Sequence, residues 1–350
     1  MDFKKIFLKD ACPTSVGGQA VIEGIMMKGP KATSIGIRMP NGEIHMKTEA
    51  QKPPSKWMKF PVLRGVYAFG ISLVDGMKTL MYAADTLEAY DGPGMEEFEQ
   101  EKPSKVEQWI EKKFGARAVW NIMLFMSVVI ALAVTIGVFI IGPTALVDLL
   151  KHFTDNVVLL NLVEGVVRII LFVLYIFLVS KMEDIRRVFQ YHGAEHKCIH
   201  CFENGEELTP ANCQKYYTLH PRCGTSFLMF VMIISLVLFS FMGWPNLAIR
   251  ITSRLLLIPV IAGLSYELLK WAGRSDNIVV KILSMPGLYL QKITTNEPDE
   301  KQLEVAIAAM KAVLRDEPDF GEGICDKDGR IIRENEFISS RHSEDGGETA

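Results

Sequence analysis

The sequence predicts a mainly α, polytopic membrane protein with about four transmembrane helices, further interfacial helices and a small N-terminal cytosolic β-containing domain. Three observations predict it. Of 350 residues, 49% are hydrophobic, and they gather into runs that reach the length of about 20 helical residues needed to cross a hydrocarbon core. Lysine and arginine cluster beside some of these runs and avoid others, as the positive-inside rule requires of an oriented chain. The first 55 residues carry the alternating pattern of half-buried strands, broken by turn residues.

Residues 1–55 read as a cytosolic β-rich element. Gly17-Gly18 opens it, Ile35, Ile37 and Met39 alternate with polar or small residues, and Asn41-Gly42 offers a two-residue turn. Glu43 to Thr48 then returns as a partner strand, and Pro53-Pro54 closes the unit. The opening MDFKKIFLKDACPTS lacks the apolar core of a cleavable leader, so the N-terminus is expected to stay where it is made.

Residues 56–117 hold an apolar stretch from Val62 to about Ala84 with Arg64, Asp75 and Lys78 near one stripe, which predicts an interfacial or bundle-packed helix. An acidic linker (Asp91 to Ser104) and a short amphipathic helix (Val106 to Phe114) follow. The membrane domain is expected over 118–295. Its spans are Val119 to Ile141, ending at Gly142-Pro143, then Val157 to Ser180, Phe227 to Phe241 and Ile251 to Trp271. Asn277 to Leu290 is apolar but short and carries Pro286-Gly287, which predicts a broken, interfacial or re-entrant segment. Residues 296–350 read as a cytosolic amphipathic helix, Asp299 to Leu314, and a polar tail expected to be disordered from about Glu317.

The loop between the first two spans carries only Lys151, whereas the 181–224 loop carries Lys181, Arg186, Arg187, Lys197, Lys215 and Arg222. That asymmetry predicts a multi-pass protein of the cell membrane with both termini and the 181–224 loop cytosolic. The formal charge of −3 argues against nucleic acid as a partner. The expected partners are the lipid bilayer and a membrane peptide or lipid substrate, with a homo-oligomer left open.

The chemistry concentrates between Tyr191 and Ser226, which hold His192, His196, His200, His220, Cys198, Cys201, Cys213 and Cys223. Cytosolic thiols stay reduced, so metal binding or burial is the expected fate of the cysteines. His192 and His196 stand one helical turn apart, the arrangement that offers two imidazole nitrogens to zinc or another divalent metal. Glu195 lies between them as a ligand, an orienting group or the general base that takes a proton from water. As letters, His192-Gly193-Ala194-Glu195-His196 is the H-x-x-E-H pattern of inverzincin metallopeptidases. A third ligand is expected from His220 first, from Glu267 about 70 residues past His196 next, or from Cys223.

Other readings compete. Cys198-x-x-Cys201 with Cys213 and Cys223 can form a closed structural zinc knuckle, as in a non-enzymatic assembly or regulatory protein. Glu164 and Arg168, one turn apart inside a span, predict a structural ion pair or a polar transport cavity, although no inverted repeat accompanies them. The glycines around residues 17–30 lack a phosphate-loop pattern, and Glu23 is a minor candidate to face the site.

GGQAVIEGIMMKGP, YHGAEHK and HPRCGTSFL resemble blocks of the YqhQ-like family of bacterial membrane proteins, and the resemblance runs from about Gly17 to Glu317. It implies a metal-dependent enzyme of undefined activity. It also groups His192, Glu195, His196, His220 and Cys223 as one constellation and leaves Cys198, Cys201 and Cys213 outside the motifs. The resulting expectation is a metal-dependent hydrolase, peptidase-like by its letters, at the cytosolic face of the membrane.

Overall fold

The computed structural model describes Thr14 and residues 16–51, 59–91, 116–150, 152–154, 156–242, 247–272 and 277–336. Cys12, the 92–115 linker with its short helix, and the last fourteen residues of the expected tail lie outside them. The chain is mainly helical. It divides into two compact units, one of residues 1–94, 176–234 and 246–350, the other of 95–175 and 235–245.

The first unit is built on a six-stranded antiparallel sheet in sequential order: β1 (Gly17–Val21), β2 (Gly24–Lys28), β3 (Ala32–Arg38), β4 (Ile44–Ala50), β5 (Gly321–Cys325) and β6 (Ile331–Arg333). The Asn41-Gly42 turn forms between β3 and β4, with Gly42 at φ 87°, a conformation that favours glycine. β5 and β6 arise from the stretch expected to be disordered. Its polar composition hides Ile324 and Cys325, which are buried beside Ile44 and His45 of β4. Asp326 turns the chain back by accepting the backbone N–H groups of Asp328 and Arg330 at 2.9 and 2.8 Å. Strand formation here depends on tertiary pairing, which local composition does not record.

The helices are α1 (Leu63–Glu88), α2 (Ala116–Ile136), α3 (Gly142–Leu150), α4 (Val157–Val179), α5 (Glu183–Glu203), α6 (Pro210–Cys213), α7 (Gly224–Ser240), α8 (Leu247–Ala272), α9 (Ile278–Thr294) and α10 (Glu300–Leu314). Because strand side chains alternate, the sheet has two apolar faces. Val21, Ile37 and Met39 pack with Ala83 of α1 and with Tyr90. On the opposite face Ile25, Met27 and Met46 join Ala194 and Cys198 of α5 and Val305 and Ala309 of α10 in the main core. Asp299 and Gln302 start α10 with a reciprocal capping box.

α1 also packs on α8. A Cβ on Gly65 would lie 2.7 Å from Cβ of Tyr266 and 2.8 Å from Cα of Gly263, so the two backbones meet through glycines. α9 runs unbroken through Pro286-Gly287, contrary to the expected interruption. Gly287 lies flush against Ser226, where a Cβ would come within 2.6 Å of the hydroxyl, and Leu288, Leu290 and Gln291 are buried. Packing offsets the hydrogen bond that the proline forgoes.

In the second unit, α2 passes through a π-helical turn, Gly137–Ile141, straight into α3. The first span therefore does not stop at Gly142-Pro143. Proline at the start of a helical segment has no N–H that needs a partner, so it need not end the rod. Glu164 of α4 is buried and accepts from Arg168 Nη2 at 2.7 Å, and Arg168 Nε donates to the carbonyl of Phe139 in the π turn at 3.0 Å. Asn161 donates to the carbonyl of Met242 at 2.8 Å. The polar groups of α4 thus form the local ion pair and stitch its own unit together.

Among the described residues three helical stretches are long and apolar enough to cross a membrane: Phe125–Leu150, Val157–Val179 and Thr252–Ala272. α7, expected as a further span, is apolar but has 17 residues. Large apolar side chains such as Phe125, Leu132, Ile170 and Leu174 are exposed on these rods, as lipid contact requires.

Replacing Gly65 with alanine should cost roughly 1–3 kcal/mol through overpacking, read as a lower unfolding midpoint in detergent. An unchanged midpoint would contradict the backbone contact between α1 and α8.

Candidate metal centre

α5 restarts the helix after a three-residue gap beyond α4, with Glu183 and Asp184 in its first turn, where carboxylates suit the positive end of the dipole. Its helical period sends Tyr191, Ala194 and Cys198 into the core and leaves His192 and His196 together on another stripe, ring centroids 4.5 Å apart. Gly193 between them meets the chain after α9: a Cβ there would come 2.0 Å from the carbonyl oxygen of Asn296. Only glycine permits that approach.

The approach delivers an acceptor. Helix ends leave carbonyls unpaired, and the carbonyl of Thr294, the last residue of α9, takes the Nδ1 proton of His192 at 2.8 Å. The carbonyl of Thr218 takes the Nδ1 proton of His196 at 2.5 Å. A carbonyl can only accept, so both imidazoles carry hydrogen on Nδ1 and turn Nε2 inward. This is how metal-ligating histidines are usually held. His196 Nε2 is buried and has no hydrogen-bond partner.

Cys223 closes the group. It sits at the start of α7, and its Sγ accepts the backbone N–H of Thr225 at 3.4 Å and lies 3.1 Å from His192 Nε2. Burial pushes this thiol up, but His192 and His196 more than offset it and hold Cys223 well below the ordinary thiol value. Burial likewise opposes the charged form of His192, yet Cys223 and Glu195 raise it to about 9. A divalent ion held by this pair would displace a proton shared between them. Ligand atoms of His192, His196 and Cys223 all lie within 4.8 Å of one another, so the three could hold a metal ion.

Glu195 lies beside them, 6% exposed. Burial pushes its carboxyl above the usual range, opposed by His196, His192 and the backbone N–H of Gly18 in β1. A side chain at position 18 would strike the carboxyl carbon at 3.1 Å, so Gly18 makes room for Glu195. A cavity of about 690 Å³ opens here, lined by His192, Glu195, His196, Cys223, residues 17–20 of β1 and Gly76 of α1.

The other candidates lie elsewhere. His220 lines the cavity and stands 5.6 Å from the His196 ring, but its Nδ1 accepts from Arg222 N at 3.3 Å and its Nε2 faces Glu203 at 3.6 Å. It borders the three-ligand group without joining it. Glu267, on α8, is held by Arg64 Nε at 2.6 Å and does not line the cavity. Glu23 pairs with Arg187. Cys198, Cys201 and Cys213 are buried as free thiols; hydrogen bonding to Cys213 raises Cys201, hydrogen bonding to Cys198 raises Cys213, and burial adds to both. Cys223 faces the histidines, so the four cysteines do not converge.

Sequence reasoning did not reach the supporting residues. Gln291 clamps the backbone of His220, accepting from its N–H at 2.8 Å and donating to its carbonyl at 2.9 Å. Lys197, 2% exposed, donates to the carbonyls of Gln214 and Tyr216 and pairs with Glu297 at 2.9 Å. Thr218, Thr294 and Gly18 act through backbone atoms. A charged lysine inside YHGAEHK was the one visible signal, because lysine is rarely buried unless paired.

A family profile described as "Protein of unknown function (DUF1385)" matches residues 60–316. The chain is 34% identical over 311 residues, 88% of its length and 94% of the relative's, to "Uncharacterized protein YqhQ" of Bacillus subtilis (strain 168). No solved structure matches.

The polar chain beside the group sets an acid-stability window. Burial lowers His200 to about 4 and His220 to about 3 from 6.5. Burial alone would raise Glu203, but His220, the Thr14 N–H and Arg222 bring it down to about 2 from 4.5. Below pH 6.5 the unfolded chain binds protons that the folded His200 and His220 refuse, so the stability these two histidines contribute is full above 6.5 and declines as pH falls towards 3. His192 is protonated in both states well below 6.5 and adds no slope there; the lowered Cys223 acts in the same direction as the two histidines, and the raised Glu195 opposes them. The unfolding midpoint of metal-free protein should fall from pH 6 to pH 4; a flat profile would contradict the buried neutral histidines.

Proposed function

The chain belongs to the DUF1385 family of proteins of unknown function, and from that premise we propose that it is a metal-dependent hydrolase of the cell membrane, peptidase-like in its chemistry, whose centre faces the cytosol. The observation that carries this reading is the pair of inward Nε2 atoms, one of them buried without a hydrogen bond, facing a low-pKa thiol at the wall of an open cavity. Two nitrogens and a sulfur suit zinc and leave a coordination position free, as catalytic rather than structural sites do.

A bound divalent ion supplies Lewis acidity at a carbonyl and lowers the pKa of water. The chain supplies the rest. The carbonyls of Thr294 and Thr218 fix the two rings, so no reorientation is needed when a cation enters. Glu195 packs against Gly18 at the cavity wall, where its carboxylate can take a proton from the attacking water and hand it to the leaving group. The charge asymmetry of the loops supports the cytosolic assignment, and three helices of membrane length support the location.

Purified protein should carry about one equivalent of zinc or a similar ion by elemental analysis. His192→Ala, His196→Ala and Cys223→Ala should each lose it, and Glu267→Gln should keep it. Glu195→Gln should retain the metal while hydrolysis of a quenched-fluorescent peptide library drops by about 10²–10⁴-fold. Metal-free wild-type protein would refute the reading. A cobalt spectrum of closed four-ligand coordination, unchanged by added azide, would instead favour a non-enzymatic assembly or regulatory protein with structural zinc.

A further inference from the structure

β1 forms one wall of the cavity beside His192, Glu195, His196 and Cys223. Among the described residues β1 is an outer strand, paired with β2 alone. Val21 and Gly24 flank the two-residue turn Ile22-Glu23, and Arg38 N–H donates to Glu23 O at 2.8 Å on the β3 side. That fixes the alternation: Gly17, Gln19 and Val21 exchange hydrogen bonds with β2, and Gly18 and Ala20 aim their N–H and C=O groups away from the sheet. Among the described residues, the carbonyl of Gly18 and both backbone groups of Ala20 have no backbone partner outside the strand pairing.

These groups repeat at every second residue, about 7 Å apart, the spacing at which an extended peptide presents its own amides. The edge is held from both sides, since Gln19 Nε2 donates to the carbonyl of Gly76 at 3.3 Å and the Glu195 carboxyl packs against Gly18. Charge also selects the occupant. Of the lining cations, Lys28 pairs with Asp75 at 3.7 Å and Arg222 pairs with Glu203. An anionic lipid headgroup would compete with those carboxylates, whereas a peptide backbone brings neutral donors and acceptors to match the free edge.

We propose that the substrate is an extended polypeptide segment that adds to the sheet along β1, hydrogen-bonding to Gly18 and Ala20 and thereby presenting one carbonyl to His192, His196, Cys223 and Glu195. The proposal rests on the hydrolase reading and names its substrate class. Edge addition gives affinity through main-chain bonds and leaves sequence preference to side-chain pockets. In the reaction the hydroxyl of one water joins the carbonyl carbon, the C–N bond breaks, and the remaining water proton passes through Glu195 to the leaving nitrogen. A carboxylic acid and an amine are released.

The test is binding of three probes to zinc-loaded, detergent-solubilised full-length protein by calorimetry: acetohydroxamate, acetyl-Ala-Leu-Ala-hydroxamate, and that peptide N-methylated at every backbone amide. Two edge hydrogen bonds predict about tenfold tighter binding of the peptide than of acetohydroxamate, and N-methylation should abolish the gain. Ala20→Pro removes one outward N–H at a position where an edge strand tolerates proline, so it should shrink the peptide's advantage and leave acetohydroxamate unaffected. Acetohydroxamate binding with no peptide advantage, or an advantage that survives N-methylation, overturns the edge proposal and spares the metal site. Failure of all three probes overturns the metal reading and this proposal together.

Discussion

Two hydrogen bonds, from Nδ1 of His192 to the carbonyl of Thr294 and from Nδ1 of His196 to that of Thr218, decide what the segment between α4 and α7 can be. An imidazole with a free choice of tautomer is a poor ligand, because turning its lone pair inward competes with donating a proton to solvent. Here the choice is removed by acceptors that cannot donate. Both carbonyls belong to segments held by buried polar groups. Gln291 ties the loop before α7 to α9, Lys197 ties the loop after α6 to α5, and Gly193 lets the chain beyond α9 come within contact of α5. Loss of such orienting partners typically weakens metal affinity 10–100-fold.

The sheet serves this centre as its wall. Alternation along β1 sends Val21 towards Ala83 of α1 and Ala20 towards the main core, which fixes the strand between two helices. A strand pinned in that way can carry an unpaired edge without slipping in register. Long exposed edges invite aggregation. The edge of β1 has five residues and faces a cavity with Glu195 across it, which limits that hazard while leaving backbone groups available.

The second unit solves a different problem with the same rule, that buried polar groups must be paired. The π turn in the first membrane-length helix shifts the backbone register by one residue, and the carbonyl of Phe139 accepts from Arg168. Arg168 in turn neutralises Glu164. A charge in hydrocarbon is expensive without such partners, so the pair reads as a structural device.

Periodicity and turn chemistry are local, and what they encode was legible. Apolar runs marked the membrane-length helices, Asn41-Gly42 marked the β3–β4 turn, and the spacing of His192 and His196 placed both rings on one stripe of a helix. Selection among distant partners is not local. Cys223 rather than His220 meets the histidines because its Sγ sits at the start of α7, 3.1 Å from His192 across 31 positions of sequence. Glu267 goes to Arg64 because α1 and α8 pack glycine to glycine. β5 and β6 exist because β4 offers an edge, and α9 continues past Pro286 because Ser226 packs against Gly287. The sequence by itself therefore determined which elements form and which residue types carry the chemistry. Only the tertiary structure decided which side chains converge, because convergence is set by packing distances of a few ångströms between segments whose separation along the chain says nothing about their contact.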